Sequence, residues 1–208
     1  MCIAAVTDLF LLLRACRLLL MMPAQLLEYP IAPVLETSRL RLRGFRADDF
    51  DAWFAYTRTP DFYRYLTPEA MPAEEIWKLL LRSAGHWVIM GFGFWAVEEK
   101  ASGRFVGGVG FLRLLRDLDP PLGDAPEIGW VMDPAVHGRG YASEAVAAAL
   151  AWGASHFGPV RTVCIIHPEN EASLRLAAKF GYREYARTTY HAGPIVLLER
   201  PVSASAAA

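Results

Sequence analysis

The sequence has few cysteines, almost no net charge and no long uninterrupted apolar run. Its 208 residues include three cysteines, 21 basic and 22 acidic residues, which give a formal net charge of −1. A chain this close to neutral lacks the broad attraction to phosphate that sequence-independent nucleic-acid binding needs, so we expect no nucleic-acid partner. The hydrophobic fraction of 54% excludes a disordered or collagen-like chain and predicts one ordinary globular domain.

The scarcity of cysteine indicates a reducing compartment. Cys2, Cys16 and Cys164 are odd in number, and none belongs to a C-x-x-C pair. Neither a disulfide framework nor a zinc site is predicted, because both need paired or clustered cysteines. We therefore expect a cytoplasmic protein without a bound metal.

The first 22 residues are strongly apolar. Their polar members are Thr7, Asp8, Arg14 and Arg17. These interruptions leave no apolar run near the roughly 20 residues of a membrane span, so we expect no stable membrane insertion. An amphipathic helix on a partner or membrane surface is an alternative, although its polar residues are too few for a strongly charged face. We interpret residues 1–29 as an apolar extension, added by translation that begins upstream of Met21 or Met22.

Hydrophobic periodicity predicts a mixed sheet with helices on its faces over residues 30–201, followed by a flexible tail at 202–208. Alternating Leu and Arg residues within 34–43 predict a half-buried first strand. Further strands are predicted at 93–99, 104–112, 127–132, 160–166, 182–190 and 195–199. Helices are predicted at 46–58, 72–85, 143–157 and 171–180. This order is typical of a single α/β (α+β) domain.

Two groups of residues mark local structure. Pro72 near the start and Gly85 at the end bound the second predicted helix, following the usual asymmetry of helix punctuation. Gly107, Gly108 and Gly110 lie inside a predicted strand and precede no helix. They therefore indicate a bulge or a close packing site rather than a phosphate loop.

The glycine-rich turn at residues 137–142 carries the strongest functional signal. Gly138 and Gly140 lie between a predicted strand and a helix start, where free N–H groups and the positive end of the helix dipole favour an anion such as pyrophosphate. The turn lacks the Lys-Ser/Thr of a P-loop and the third glycine of a dinucleotide-binding fingerprint. Alternatively, the two glycines serve only the geometry of the turn and bind no anion.

The run His137-Gly138-Arg139-Gly140-Tyr141-Ala142 resembles the pyrophosphate loop of the GNAT acyltransferases, with His137 where the family usually has Gln or Arg. Other segments narrow the resemblance to the RimJ/RimL-like, ribosomal-protein N-acetyltransferase branch. They are Leu35–Arg43, Glu127–Trp130, Gly140–Glu144, Asn170–Ser173 and Phe180–Tyr182. The resemblance covers about residues 34 to 200. It implies the GNAT fold, whose mixed, mainly antiparallel sheet carries helices on both faces.

Acetyl-CoA is the co-substrate that the resemblance implies. In this family two neighbouring strands splay apart, and the pantetheine arm lies between them as if it were another strand. These strands correspond to residues 128–132 and 160–166. The cofactor-binding residues so implied are Val131, Met132, His137, Gly138, Arg139, Gly140, Tyr141, Ala142 and Asn170. Arg139 could also add a charged donor to a phosphate, with a solvated loop charge as the alternative.

The resemblance further implies how an amine is acetylated. Direct transfer needs removal of the amine's proton and return of a proton to the departing thiolate. Glu127 matches an acidic position to which the family assigns removal of that proton, commonly through water. Two alternatives stay open: Glu127 forms a strand-end ion pair, or His167, a residue type that titrates near neutral pH, is the base.

Asn170 and Ser173 open the last predicted helix. The resemblance implies that Asn170 contacts the cofactor and that the Ser173 hydroxyl stands near its sulfur, although both residue types are also good N-terminal caps. Many GNAT enzymes have a tyrosine acid at the position of Ala177, so Ser173 becomes the candidate for returning the proton. Tyr182 is interpreted as a core residue.

We therefore predict an N-acetyltransferase that moves an acetyl group from acetyl-CoA to a primary amine, a protein N-terminus or a small molecule, in a ternary complex. Cys164 lies in an apolar strand without a nearby base, which argues against a covalent cysteine. An acyl-CoA sensor without turnover and a scaffold are the alternatives, and a homodimer stays open. Aromatic residues near the first two helices line an acceptor groove or pack in the core: Trp53, Phe54, Tyr56, Phe62, Tyr63 and Tyr65.

Overall fold

A computed structural model describes residues 32–65, 67, 69–191 and 193–202. Residues 1–29, which we interpret as an apolar extension, and most of the predicted tail lie outside the described residues. Within the described ranges, no helix combines the length and apolar character that crossing a membrane requires.

The core of the domain is an eight-stranded sheet with the order β1-β2-β3-β4-β5-β6-β8-β7. The strands are β1 (Leu35–Glu36), β2 (Leu40–Arg43), β3 (Phe94–Glu99), β4 (Phe105–Leu112), β5 (Glu127–Met132), β6 (Thr162–Ile166), β7 (Arg183–Tyr190) and β8 (Gly193–Arg200). Neighbouring strands pair antiparallel except β5 and β6, which are parallel. The predicted mixed, mainly antiparallel sheet is confirmed.

Helices cover both faces of the sheet. They are α1 (Phe50–Thr57), α2 (Pro60–Tyr63), α3 (Ala73–Met90), α4 (Tyr141–Phe157) and α5 (Glu171–Lys179), with short 3-10 turns at Ala47–Asp49 and Pro134–Val136. Successive residues of β3 point to opposite faces. Trp95 and Val97 join the larger core cluster with α4, whereas Ala96 joins a smaller cluster with Trp53 of α1 and Ile76 of α3.

The single strand predicted at 34–43 is wrong, because this segment forms a hairpin. Leu35 pairs with Leu42, and a turn over residues 37–39 reverses the chain between β1 and β2. Thr37 closes the turn, since its backbone N–H donates to the Leu40 carbonyl at 2.9 Å and its Oγ1 accepts from the Leu40 N–H at 2.9 Å. The Thr-Ser-Arg run supplies local polar partners that compete with an extended strand.

The predicted end of the second helix at Gly85 is also wrong. Helix α3 continues to Met90, because His86 and Trp87 extend its buried face beyond the glycine. The helix ends at Gly91, whose φ of 71° suits glycine and whose N–H donates to the Trp87 carbonyl at 3.0 Å. A glycine inside a helix costs stability without ending it, and burial of the flanking residues outweighs that cost here.

The interpretation of Gly107, Gly108 and Gly110 as a close-packing site is confirmed. A side chain on Gly107 would overlap the Val131 carbonyl oxygen of β5, and one on Gly110 would overlap the backbone of Gly93. A side chain on Gly108 would come within 2.6 Å of the Phe94 ring. These glycines therefore let β4 approach its neighbours closely, next to the strand that the cofactor is expected to meet.

Gly110→Ala is expected to lower the free energy of unfolding by about 3 kcal/mol, because the new methyl group meets rigid backbone rather than a movable side chain. Gly85→Ala is the matched control, since a side chain there meets nothing within 4 Å and the helix gains roughly 0.5–1 kcal/mol. Urea denaturation of both variants measures the difference. Equal stability of the two variants would contradict the packing account.

Candidate active site

Strands β5 and β6 splay apart soon after they meet. Their ladder contains one pair, Glu127 with Val163, and the adjacent Val163 N–H donates to the Pro126 carbonyl at 3.1 Å. On its other side β5 pairs with β4 along its whole length, and β6 pairs with β8 from Thr162 to Ile166. A V-shaped gap therefore opens between the two strands, with backbone groups along its sides that can pair with an extended ligand.

The gap has two distinct ends. Glu127 lies at its apex, and Met132 and Ile166 lie at its open end, because the two strands run parallel. A strand rises about 3.3 Å per residue, so the five steps from Glu127 to Met132 span about 16 Å. The side of the gap thus accommodates a long, extended chain with amide groups. Val131 and Met132, both predicted cofactor residues, lie at the open end.

The glycine loop, residues 137–140, borders the open end. Gly138 and Gly140 adopt φ values of 76° and 78°, and α4 begins directly afterwards at Tyr141. Among the described residues, no protein acceptor takes the N–H groups of Gly138, Gly140 or Ala142. An unpaired helix start of this kind binds anions through its N–H groups and the helix dipole. The predicted anion site therefore has the required local geometry.

The side chains of the loop act differently from its backbone. The His137 ring Nε2 lies 3.3 Å from the Met132 carbonyl oxygen, to which it can only donate, so the ring ties the loop to the end of β5. Arg139 is exposed, and its Nη1 lies 3.6 Å from Glu99. The Tyr141 ring is buried, and its hydroxyl donates to Glu99 at 2.5 Å. Only the backbone of Tyr141 is thus available to a cofactor.

Glu144, in the first turn of α4, is held by the β1–β2 turn. Its Oε1 accepts hydrogen bonds from Thr37 Oγ1 at 2.6 Å, Ser38 Oγ at 3.0 Å and the Arg39 backbone N–H at 2.8 Å. Its Oε2 accepts from Arg39 Nε at 2.7 Å. The sequence pattern did not reveal this contact, because the partners are about one hundred residues apart and only the folded sheet brings them together.

Glu144→Gln is expected to make the free energy of unfolding depend less on pH in the acidic range. Desolvation opposes ionisation of Glu144, but the hydrogen bonds from Thr37 and Arg39 outweigh it and lower its pKa from 4.5 to about 2. The folded protein therefore binds fewer protons than the unfolded chain in this window, and stability rises with pH there. The ionised Glu144 carboxylate makes its full contribution to folding stability above its ordinary pKa, and this contribution is lost as the pH falls through about 2.

Urea denaturation of both proteins from neutral to acidic pH measures this effect as the difference between two curves. The curves should lie furthest apart above the ordinary pKa of Glu144 and converge as the pH falls. Parallel curves would contradict the role of the Glu144 carboxylate.

Glu127 forms the strand-end ion pair that the sequence left open. Its carboxylate is 5% exposed and accepts from Arg116 Nε at 2.7 Å and Nη2 at 2.9 Å. Burial opposes the charge of Arg116, but the hydrogen bonds and charge of Glu127 outweigh it and raise the arginine pKa. Arg116 also stacks on Tyr190, with its Cζ 4.8 Å from the ring centroid. Sequence patterns did not single out Arg116, because nothing local marks it as a partner of β5.

Ser173 contacts the side chain of Trp130, in the middle of β5. Trp130 Nε1 donates to the Ser173 hydroxyl at 3.3 Å, so Ser173 of α5 contacts a side chain of β5 on the face of the larger core cluster. Asn170 Oδ1 accepts the Ser173 N–H at 3.1 Å, which makes Asn170 the N-terminal cap of α5. The capping role is therefore present, and among the described residues the Asn170 side-chain amide N–H groups have no protein acceptor.

Glu127 and Ser173 lie on opposite faces of β5. Ile128 and Met132 belong to the larger core cluster, and Trp130 packs against it, whereas Val131 packs against the smaller cluster. Side chains alternate along a strand, so Glu127 shares the face of Val131. The Glu127 carboxylate and the Ser173 hydroxyl therefore lie on opposite faces of the sheet.

The other predicted residues are placed as follows. His167 follows β6 at the open end of the gap, and its Nδ1 accepts the Glu169 N–H at 3.2 Å. Tyr182 is a core residue as predicted, with its hydroxyl 2.7 Å from Thr162 Oγ1. Ala177 is buried. Burial raises the pKa of the Cys164 thiol, and the negative charge of Glu127 raises it further. Both effects disfavour the nucleophilic thiolate.

The aromatic residues divide between core and surface. Trp53, Tyr56 and Phe62 are buried in the smaller core cluster, as the core interpretation predicts. Tyr65 is half-buried, with its ring centroid 5.4 Å from that of His167. Among the described residues, no group of three His, Cys, Asp or Glu side chains is arranged to hold a metal ion.

Comparison with known proteins assigns this architecture to a family. A GNAT acetyltransferase domain model matches residues 39–183. YoaA of Bacillus subtilis (strain 168), described as an uncharacterized N-acetyltransferase, is 29% identical over 153 residues, which are 73% of this chain and 84% of YoaA. A GNAT-family acetyltransferase structure from Bordetella pertussis has 33% identity and a TM-score of 0.71, covering 81% of this chain and 99% of that one.

A more distant structure agrees in fold. The ribosomal-protein alpha-N-acetyltransferase RimL, solved in complex with coenzyme A, has a TM-score of 0.67 at 16% identity, covering 82% of this chain and 98% of RimL. The residues that match the domain model, 39–183, include β5, β6 and the glycine loop. The chain belongs to the GNAT family and is an acetyl-CoA-dependent acyltransferase.

Proposed function

We propose that this protein transfers an acetyl group from acetyl-CoA directly to a primary amine, without an acyl-enzyme intermediate. One observation carries the proposal: the gap between β5 and β6 has a glycine loop at its open end, whose N–H groups have no protein acceptor among the described residues, and a buried carboxylate, Glu127, at its apex. A long ligand with a phosphate end and a reactive end matches this polarity.

Acetyl-CoA fits the residues that line the gap. The pantetheine arm contains amides and is extended, so it can pair with the free edge of β5 at Trp130 and Met132 as another strand would. Its pyrophosphate then reaches the N–H groups at Gly138, Gly140 and Ala142. The backbone groups of Val131 point toward Gly108 of β4, whereas those of Trp130 and Met132 point into the gap. The Met132 carbonyl already accepts from His137, so Trp130 and the Met132 N–H are the better sources of backbone pairing. Asn170 can donate from its side-chain amide.

The position of Glu127 suits proton removal from the amine. With the phosphates at the open end, the thioester end of the ligand points toward the apex, where Glu127 lies. Each Glu127 oxygen accepts one bond from Arg116 and keeps a second lone pair for water or an ammonium group. Arg116 therefore fixes the carboxylate without using up its acceptor capacity. His167, at the open end, lies near the phosphates instead.

Ser173 suits the return of a proton to sulfur. The amine nitrogen bonds to the thioester carbon, the carbon–sulfur bond breaks, and the thiolate needs a donor. Ser173 contacts Trp130 on the face of β5 opposite Glu127, which supports separate partners for the incoming amine and the departing thiolate. Cys164 is protonated and buried, which supports direct transfer over a covalent cysteine.

We further propose an acceptor of the kind that the RimJ/RimL-like branch uses, a peptide N-terminus, with a small-molecule amine as the second candidate. The motif Leu35–Arg43 and the similarity in fold to RimL support the first. The half-buried Tyr63 and Tyr65 lie in the segment that follows α1 and are available to contact an acceptor.

Thiol release from acetyl-CoA across a panel of peptide N-termini and small amines tests the proposed function. We expect release that depends on one class of acceptor, together with acetyl-CoA binding in calorimetry. Binding without release on any acceptor would identify an acyl-CoA sensor instead. No binding by folded protein would remove both functions.

A further inference from the structure

The β1–β2 turn contacts the glycine loop as well as α4. Arg39 donates from Nη1 to the Arg139 carbonyl oxygen at 2.8 Å, and its Nη2 lies 2.7 Å from Glu144 Oε2. Its Cζ lies 4.7 Å from the centre of the Tyr141 ring. One guanidinium thus joins the loop backbone, the first turn of α4 and the ring between them.

The bond to Arg139 sets the direction of a loop N–H group. The peptide unit is planar and trans, so the carbonyl of Arg139 and the N–H of Gly140 point in opposite directions. Holding the carbonyl toward Arg39 therefore turns the Gly140 N–H away from it. Gly140, on one side of this peptide, has no side chain to restrict it, so the contact from Arg39 favours one conformation of the loop.

Arg39 also neutralises an unfavourable charge. Glu144 lies in the first turn of the helix whose N-terminus would bind the pyrophosphate, and its side chain is 15% exposed. An unpaired carboxylate there would repel the anion. The ion pair with Arg39, supported by Thr37 and Ser38, cancels that repulsion.

We infer that Arg39 and Glu144 hold the glycine loop in the conformation that binds the pyrophosphate of acetyl-CoA, which makes Arg39 a positioning residue. Arg39 does not itself need to touch the cofactor, because the loop N–H groups do so. The inference rests on the proposed function, since it concerns how the same gap binds acetyl-CoA.

The test compares Arg39→Ala with Arg41→Ala in the full chain. Arg41 is a matched control on the same hairpin: the two side chains are 47% and 45% exposed, and each forms ion pairs. Arg41 bonds to Glu36 and Glu98 and does not contact the loop. Calorimetry with coenzyme A should show a dissociation constant about tenfold or more higher for Arg39→Ala and unchanged for Arg41→Ala.

A shortened thioester distinguishes a loss of loop positioning from a loss of folding or of catalysis in general. With S-acetylpantetheine, which lacks the pyrophosphate, Arg39→Ala should retain the wild-type kcat/KM on an acceptor found in the panel. An equal loss with both thioesters, or an equal effect of the two arginine variants, would overturn the inference. Failure of the wild-type protein to bind coenzyme A would instead overturn the proposed function.

Arg39→Lys keeps the test decisive if Arg39→Ala does not fold. Lysine retains the charge, but its donors sit on a single nitrogen and cannot reproduce the planar fork whose separate nitrogens bond the Arg139 carbonyl and Glu144 at the same time. We expect a smaller loss of coenzyme A affinity, again absent with S-acetylpantetheine. Wild-type coenzyme A affinity in folded Arg39→Lys protein would contradict positioning through the Arg139 carbonyl.

Discussion

Glu127→Gln is expected to lower kcat by about a hundredfold, with the dissociation constant of acetyl-CoA unchanged. Glutamine has the same shape as glutamate but cannot accept the amine's proton. The carboxylate is buried at the apex of the gap, away from the glycine loop, so cofactor binding should not depend on it. Steady-state kinetics on an authentic acceptor, with calorimetry for acetyl-CoA, measure both quantities.

Loss of the ion pair complicates this variant, because Arg116 keeps its charge without a full partner. Glu98→Gln provides the matched control. Glu98 is 8% exposed and bonds to Arg43 at 2.8 Å, yet it lies on β3 outside the gap. Both variants should lose stability, since each leaves a buried arginine less well paired. A wild-type kcat in Glu127→Gln, or the same fall in both variants, would contradict the proposed base.

Ser173→Ala distinguishes the two proposed proton transfers. It should lower kcat, because the thiolate leaves without a donor, and the loss should shrink with a thioester whose thiol is a better leaving group. Glu127→Gln should keep its loss with that thioester, since it removes the group that accepts the amine's proton.

Gly140→Val is expected to raise the dissociation constant of acetyl-CoA by about tenfold or more. Gly140 has a φ of 78°, a region that costs an L-residue roughly 1–2 kcal/mol and is worst for β-branched side chains. Relief of that strain turns the loop N–H groups away from the anion. Gly140→Asn should bind more tightly than Gly140→Val, because asparagine tolerates this conformation better.

Gly181→Val is the matched control for the loop. Gly181 has a φ of 82° at the end of α5, and a side chain there meets nothing within 4 Å. The two valine variants should lose similar stability, but only Gly140→Val should lose acetyl-CoA affinity in calorimetry. Equal affinity of the two variants would show that the loop conformation does not matter for binding.

Elements with clear periodicity were predictable from the sequence. The strand at 127–132 and the helix that begins near Gly140 follow from the alternation of apolar residues and from the glycines between them. The hairpin at 35–43 was not predictable from the sequence, because its two strands are very short and its turn consists of polar residues without glycine or proline. Helix α3 passes Gly85 because the burial of Trp87 depends on neighbours that a local pattern does not contain.

The candidate site was predictable as a set of positions but not as a set of contacts. The glycine loop follows from its local spacing, and its left-handed φ values agree with that expectation. The partners of Glu127 and Glu144 come from other elements, so the sequence left Glu127 open between base and ion pair. The structure shows the ion pair with Arg116, and the chemical role of Glu127 stays a prediction.

Direct transfer across the gap is the central claim, and initial velocities with both substrates varied test it most directly. A ternary complex predicts reciprocal plots that intersect, because acetyl-CoA and the amine must be bound together before reaction. Parallel lines, accompanied by a stable acetylated form of the protein in mass spectrometry after incubation with acetyl-CoA alone, would contradict the account.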